Sequence, residues 1–420
     1  MKVVIINTFE SSGGAAIAAN RLRKALNKSG IDAKMLVRDK NTDDSNAIPF
    51  NTSFPSKLLS RFFFYFERLY ISIHNNFSKK NLFAVSVANT GNDISRSKLI
   101  KEADIIHLHW INQGFLSIKS IKKLVELNKP IIWTMHDQWS YTGICHYTGG
   151  CKKFLDTCLD CPLLKTRKKY DLSYRTFKKK EFYRSNTFTL VGCSKWIATE
   201  AEKSSLCRNT KIINIPNPID ITVYNKLEKD NARKSLNLPV DKKLILFGAC
   251  KVTDERKGFE YMKRACDILY CRKLLLIDDV TIVIFGGKSE EIESLLPYYI
   301  HNAGYIKDIR TMTNLYNAAD LFVIPSLEDN LPNTIMESMA CGTPCVGFNT
   351  GGIPEMIDHL QNGYVAEYKN EEDLAKGINW VLNEADYSAL SDNARKKVVE
   401  NYREDIVAEK YIELYNSLLN

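Results

Sequence analysis

LFVIPSLEDNLPNTIMESMACGTPCVGFNTGGIPE, residues 321–355, reads as strand, acidic turn, helix, glycine turn, strand and second glycine turn. An apolar run at 321–324 ends at Pro325, then come Glu328 and Asp329, and a helical pattern carrying Glu337 leads through the turn 341–344 into a second apolar run. Gly351 and Gly352 then open another short helix. Short apolar runs separated by a helix are parallel strands joined by a crossover. In open α/β sheets the ligand lies at the carboxyl ends of the strands, where helix N-termini attract phosphate. Two carboxylates and two glycine turns gathered there predict a pocket for a donor carrying hydroxyls and phosphate.

Outward from this stretch the same alternation fills the chain. Strand patterns fall at 2–7, 33–37, 105–108, 131–135 and 188–193, with a helix at about 15–29; the series restarts at 244–247, 281–285, 321–324 and 344–347. Two β/α series in 420 residues imply two doubly wound domains, each with room for a full core. The two prolines of IPNPID, residues 215–220, form a stiff connection. Domains are therefore expected at 1–216 and 217–400, with a terminal helix in 401–420.

Composition narrows the class. The opening MKVVIINTFE is too short an apolar run for a signal peptide, and no run approaches the length of a membrane span. Eleven cysteines, many in core-like segments, read as reduced thiols, so a cytoplasmic location is expected. The net charge of +9 includes clusters at 165–169 and 178–180, which suit solvated faces, an anionic membrane surface or phosphate-bearing substrates. Nucleic acid is disfavoured, because no basic and aromatic platform or zinc-finger spacing accompanies the charge. A dinucleotide-dependent oxidoreductase is disfavoured because SSGGAA, residues 11–16, lacks the G-x-G-x-x-G spacing.

Several segments carry candidate chemistry. Gly13 and Gly14 follow the first strand and open a helix, which by itself reads first as a tight βα turn. Lys251 and Lys257 lie in GACKVTDERKGFE after the strand at 244–247. His136 ends the strand of IIWTMHD, and His107 and His109 alternate along IIHLHW beside Trp110. The aromatic segment at 62–66 reads as a helix packed in the first domain, with a membrane interface as the alternative. Cys145, Cys151, Cys158 and Cys161 form C-x5-C-x6-C-x2-C in a polar loop, a spacing that suggests a structural zinc, with His146 as a competing ligand and free or redox-paired thiols as alternatives.

The stretch 321–355, with the motifs around Lys257 and His136, resembles the E-x7-E region of retaining, nucleotide-sugar-dependent glycosyltransferases of family 4, most of all members that build bacterial capsular and other surface polysaccharides. The resemblance implies the α/β GT-B fold, two Rossmann-like domains facing a cleft with a C-terminal helix crossing back to the first. It implies a nucleotide diphosphate sugar donor, a glycan or lipid-linked acceptor at the inner membrane surface, and no cofactor required for catalysis. In the family Glu337 holds the ribose hydroxyls, and the first acid contacts the donor sugar. That position is Asp329 here, a carboxylate retracted by about 1.5 Å relative to the usual glutamate, with Glu328 as the neighbouring alternative. The resemblance further gives Lys257, with Lys251 six positions earlier, the donor diphosphate; Gly13 and Gly14 the phosphate and reacting sugar; and His136 the positioning of that sugar. Asn330, Leu331, Gly351, Gly352 and Glu355 complete the donor wall, and His109 with Trp110 meets the acceptor. A sugar-nucleotide epimerase or hydrolase and a non-catalytic sugar-nucleotide-binding protein are the alternatives.

Overall fold

The computed structural model describes residues 1–185 and 188–420. It forms two compact units, Met1–Pro216 with Val407–Asn420, and Asn217–Ile406. In the first, strands β1 (Lys2–Phe9), β2 (Asp32–Asp39), β3 (Ala47–Pro49), β4 (Ile105–Leu108), β5 (Ile131–Met135), β6 (Thr189–Gly192) and β7 (Lys211–Asn214) make a parallel sheet of order β3-β2-β1-β4-β5-β6-β7. In the second, β8 (Lys243–Lys251), β9 (Val280–Gly287), β10 (Tyr299–Gly304), β11 (Leu321–Ile324), β12 (Cys345–Phe348) and β13 (Gly363–Ala366) make a parallel sheet of order β10-β9-β8-β11-β12-β13.

Central strands covered on both faces need continuous apolar runs, and β1 and β8 each bury six consecutive residues, Val3 to Thr8 and Leu244 to Ala249. The strand order reverses between β1 and β4 in the first sheet and between β8 and β11 in the second. At such a switch point the connections leave in opposite directions and open a crevice beyond the strand ends.

The helix Glu404–Leu419 begins in the second unit and finishes in the first. Its Val407, Ala408, Tyr411, Leu414 and Tyr415 join the core formed by Val3, Ile5, Leu22 and Met35. The second unit runs to Ile406, beyond the boundary of 400 expected from sequence, because Tyr402 and Glu404 hydrogen-bond the backbone of Ile219 (2.9 and 3.1 Å).

One element departs from its expected packing. The aromatic segment lies in the helix Phe54–His74, started by Ser53, whose side chain accepts the Ser56 amide. Phe62, Tyr65 and Phe66 are exposed instead of packed. Among the described residues no helix is long and apolar enough to cross a membrane.

Candidate active site

The second unit gathers charge at its switch point. After β8, a short turn at Glu255–Lys257 ends in Gly258, in the left-handed region at φ +72°, which opens the helix Phe259–Cys271. A Cβ on Gly258 would stand 1.8 Å from the carbonyl oxygen of Pro325, so only glycine lets this turn rest on the end of β11. The contact brings the Lys257 ammonium to 2.6 Å from Asp329 Oδ2, while Arg256 Nη1 donates to the Glu328 carbonyl at 2.7 Å and stands 3.5 Å from the same carboxylate oxygen. Ser326 donates to Oδ2 at 3.3 Å and the Asn330 amide to Oδ1 at 3.2 Å. Burial opposes ionisation of Asp329, but Lys257 and Arg256 outweigh it and hold the carboxyl below its ordinary range.

Gly351 and Gly352 close on the same turn. A Cβ on Gly351, at φ +59°, would lie 1.8 Å from the Asp329 carbonyl oxygen, and the Gly352 amide donates to that oxygen at 3.1 Å. The Gly352 amide thus serves the acidic turn. Glu337, on the helix Asn333–Ala340, is 6% exposed, and its Oε2 accepts the Tyr316 hydroxyl at 2.9 Å. Tyr316, in the helix Ile309–Ala318, was not singled out from sequence, where a lone tyrosine in a helical pattern reads as core. Lys251 ends β8 exposed, Asn330 and Leu331 are buried, and Glu355 is half-buried in the helix Ile353–Met356.

The first unit gathers uncharged rings at its own switch point. Gly13, at φ +87° and ψ 161°, precedes the helix Gly14–Lys28 with nothing within 4 Å of where a Cβ would stand. Beyond β4 and β5, His109 Nδ1 and His136 Nε2 share a hydrogen bond of 2.8 Å, and His136 Nδ1 faces Cys193 Sγ at 3.7 Å. His107 is packed away, bonded to Tyr415 OH and to Thr134 Oγ1, each at 2.8 Å, and Thr134 Oγ1 bonds Tyr411 OH at 2.8 Å. Burial pushes His107 down to about 3 and His136 to about 4, and drives His109 well below its ordinary value, so all three rings are neutral near pH 7.

His109 is 3% exposed. Trp110 is half-buried, its indole N–H bound to Asp137 Oδ2 at 2.7 Å. Asp137 also takes His146 Nδ1 at 2.6 Å, and His146 Nε2 bonds Ser86 Oγ at 3.0 Å.

Cys145, Cys151, Cys158 and Cys161 line one small cavity with Thr148, Lys153 and Ser173. Burial, above other causes, pushes the Cys158 thiol up to about 12 and that of Cys161 to about 11, so both are protonated. Among the described residues no group of three or more His, Cys, Asp or Glu side chains is arranged to hold a metal ion. The zinc expectation therefore meets no formed ligand set.

Two doubly wound parallel units, with a C-terminal helix returning to the first, define the GT-B class of fold. Residues 12–223 match the family described as Glycosyltransferase Family 4, and residues 228–404 that described as Glycosyl transferases group 1. The chain belongs to glycosyltransferase family 4. It is 30% identical over 246 residues to an uncharacterised glycosyltransferase of Methanocaldococcus jannaschii, covering 54% of this chain and 60% of that protein. It is 28% identical over 210 residues to the N,N'-diacetylbacillosaminyl-diphospho-undecaprenol alpha-1,3-N-acetylgalactosaminyltransferase of Campylobacter jejuni, covering 48% of this chain and 53% of that one. The chain thus spans less than two thirds of the length of either relative. Anabaena HepE in complex with UDP and glucose shares the fold, with a TM-score of 0.64 at 16% identity over 99% of this chain and all of the other.

Proposed function

We propose that this enzyme is a retaining glycosyltransferase that moves a sugar from a nucleoside diphosphate sugar to a glycan or lipid-linked glycan acceptor in the cytoplasm, as a step in surface polysaccharide synthesis. The observation that carries the reading is the buried Lys257–Asp329 pair, braced by Arg256 at the switch point of the second sheet. A diphosphate arriving there competes with Asp329 for the Lys257 ammonium and frees the carboxylate to accept a sugar hydroxyl. Glu337, oriented by Tyr316, accepts the ribose hydroxyls. As the glycosidic bond breaks, Lys257 and the exposed Lys251 offset the charge growing on the leaving diphosphate, so the chain's own cations do what a metal does in other transferases.

In the first unit His136, neutral and fixed by His109, positions the donor sugar by hydrogen bonding and does not act as a base. Retention follows if the acceptor enters on the face the diphosphate leaves and the departing phosphate oxygen takes its proton. The name of the Campylobacter relative, a transferase acting on a diphospho-undecaprenol sugar, supports a lipid-linked acceptor, and the resemblance of residues 321–355 supports polysaccharide synthesis. Eleven free cysteines suit a reducing compartment.

Calorimetric titration with nucleoside diphosphates and a panel of nucleotide sugars, followed by NMR of the product anomer, tests this. Lys257→Ala should weaken diphosphate binding by about 1.5–3 kcal/mol, the range for a hydrogen bond to a charged group. Glu337→Gln should weaken donor binding, and Asp329→Asn should lower turnover while sparing binding of the free diphosphate. Unchanged diphosphate affinity in Lys257→Ala removes the proposed site; hydrolysis or epimerisation of donor with no transfer to any acceptor replaces the reading with its rival.

A further inference from the structure

The helix Phe54–His74 is built inside out. The residues it turns into the first unit are mostly polar: Ser60, Glu67 and Arg68, with Ile71. Most of their polar atoms find partners there, although among the described residues Arg68 Nε has none and Glu67 Oε2 has only its ion pair with Arg68. Glu67 accepts the amides of Val87 (2.9 Å) and Ala88 (2.8 Å) and pairs with Arg68 at 3.0 Å. Arg68 donates to the carbonyls of Leu82 and Val85, and Ser60 bonds Asn51 and Asn92. The outward face carries Phe54, Leu58, Phe62, Tyr65, Leu69 and Ile73, between 48% and 80% exposed. Their spacing of three or four residues lays them in one stripe along all 21 residues of the helix. A helix at the surface of a globular protein ordinarily shows the opposite arrangement.

Charge on the same face is of one sign. The only carboxylate of the helix, Glu67, is fully buried, while Lys57 and Arg61 are exposed, and the exposed Lys79 and Lys80 follow close behind. An apolar stripe edged by cations and free of anions matches a bilayer surface carrying anionic headgroups. It does not match a second copy of itself, since a two-fold contact would set these cations against one another. Nor does the helix cross the bilayer, being too rich in polar groups to span it.

We infer that the helix Phe54–His74 is an interfacial anchor that lies flat on an anionic lipid surface, its apolar stripe in the acyl boundary and Lys57, Arg61, Lys79 and Lys80 against the headgroup phosphates. The inference stands apart from the proposed chemistry of the second unit.

Flotation of the full chain with vesicles of phosphatidylcholine and phosphatidylglycerol in equal parts tests it, with pure phosphatidylcholine for comparison. Binding to the mixed vesicles is expected, weakened about fivefold by each of Lys57→Gln and Arg61→Gln. The triple variant Phe62→Ser, Tyr65→Ser, Leu69→Ser should lose more than about tenfold, since several apolar side chains leave the lipid. Its melting temperature and nucleoside diphosphate affinity should stay at the parent values, because none of the three is buried. Failure of the parent chain to float with the mixed vesicles overturns the inference, as does undiminished flotation of the triple variant. A lipid-free dimer that the triple variant dissociates, seen by sedimentation equilibrium, assigns the stripe to self-association and overturns it equally.

Discussion

In the first unit three uncharged histidine rings stand together, His107 in β4 and His109 and His136 just beyond β4 and β5; in the second, Lys257, Arg256 and Asp329 crowd the ends of β8 and β11 as ions. Both groups sit at the switch point of a parallel sheet. The same backbone device thus serves two electrostatic regimes, and side chains alone decide which. Where burial outweighs the nearby opposite charge, the imidazoles give up their protons; where a carboxylate meets two cations, the carboxylate stays ionised.

The largest expected effect separates the two regimes by pH. An unfolded histidine titrates near its ordinary value of about 6.5, whereas folded His136 titrates at about 4 and His107 at about 3. The unfolded chain therefore binds more protons through this window. Stability is fully present above about pH 6.5 and is lost as pH falls through the folded values, by about 1.4 kcal/mol per pH unit for each histidine. The groups facing these rings are Tyr411, Tyr415, Thr134, Cys193 and Asp137; Asp137, ionised there, partly offsets the loss at His136. Asp329, held low, is lost only below the carboxylate range, so acid should open the first unit before the second. Urea unfolding followed by tryptophan fluorescence reads this directly, because Trp110, Trp133, Trp139 and Trp196 lie in the first unit and only Trp380 in the second. A fluorescence midpoint that is flat from pH 6.5 to 4.5 would break the contrast.

Glycine substitution is next in size. Gly351→Ala places a methyl 1.8 Å from the Asp329 carbonyl at a left-handed φ, and should cost about 2–5 kcal/mol from overpacking and backbone strain together. Gly13→Ala meets no neighbour and should cost only the conformational strain of its backbone, about 1–3 kcal/mol. Denaturant titration of both variants checks this, and an equal loss would mean that the two loops are under the same steric constraint. The smallest effect compares two tyrosines. Tyr316→Phe deletes a bond to the Glu337 carboxylate and should cost about 1.5–3 kcal/mol, against about 0.5–1.5 for Tyr415→Phe, whose bond to His107 joins neutral groups. Equal costs would mean that the Tyr316 bond gains nothing from ending on a carboxylate.

Much of this scaffold was legible in the sequence, and what escaped has a pattern. The buried strands at 2–7, 105–108, 131–135 and 321–324 stand out because both faces are covered and the apolar run is unbroken. The strands that sequence periodicity missed, β3, β7, β10 and β13, are the four edges of the two sheets. They are short, and β7 and β10 are exposed or half-exposed throughout, so they lack an apolar run to read. Lys257 and Asp329 were visible as motif residues, but the ion pair between them depends on Gly258 and Gly351 pressing on β11 and its turn, a tertiary contact without a local signal. The hydrogen bond between His109 and His136 had no local signal either: His109 lies one residue past β4, where strand alternation no longer says which way a side chain points. The helix Phe54–His74 misled because aromatic stripes are usually core, and only the burial of Glu67 and Arg68 reveals which face is inside.

The returning helix has a consequence for how the chain is made. Synthesis reads residues 1–216 well before residues 407–420, yet the first unit's core lacks Tyr411, Leu414 and Tyr415 until those are made. Residues 217–406 are continuous and can complete their own sheet beforehand. The first sheet is therefore completed after the second, with His107 and the underside of β1 uncovered until residues 407–419 close over them.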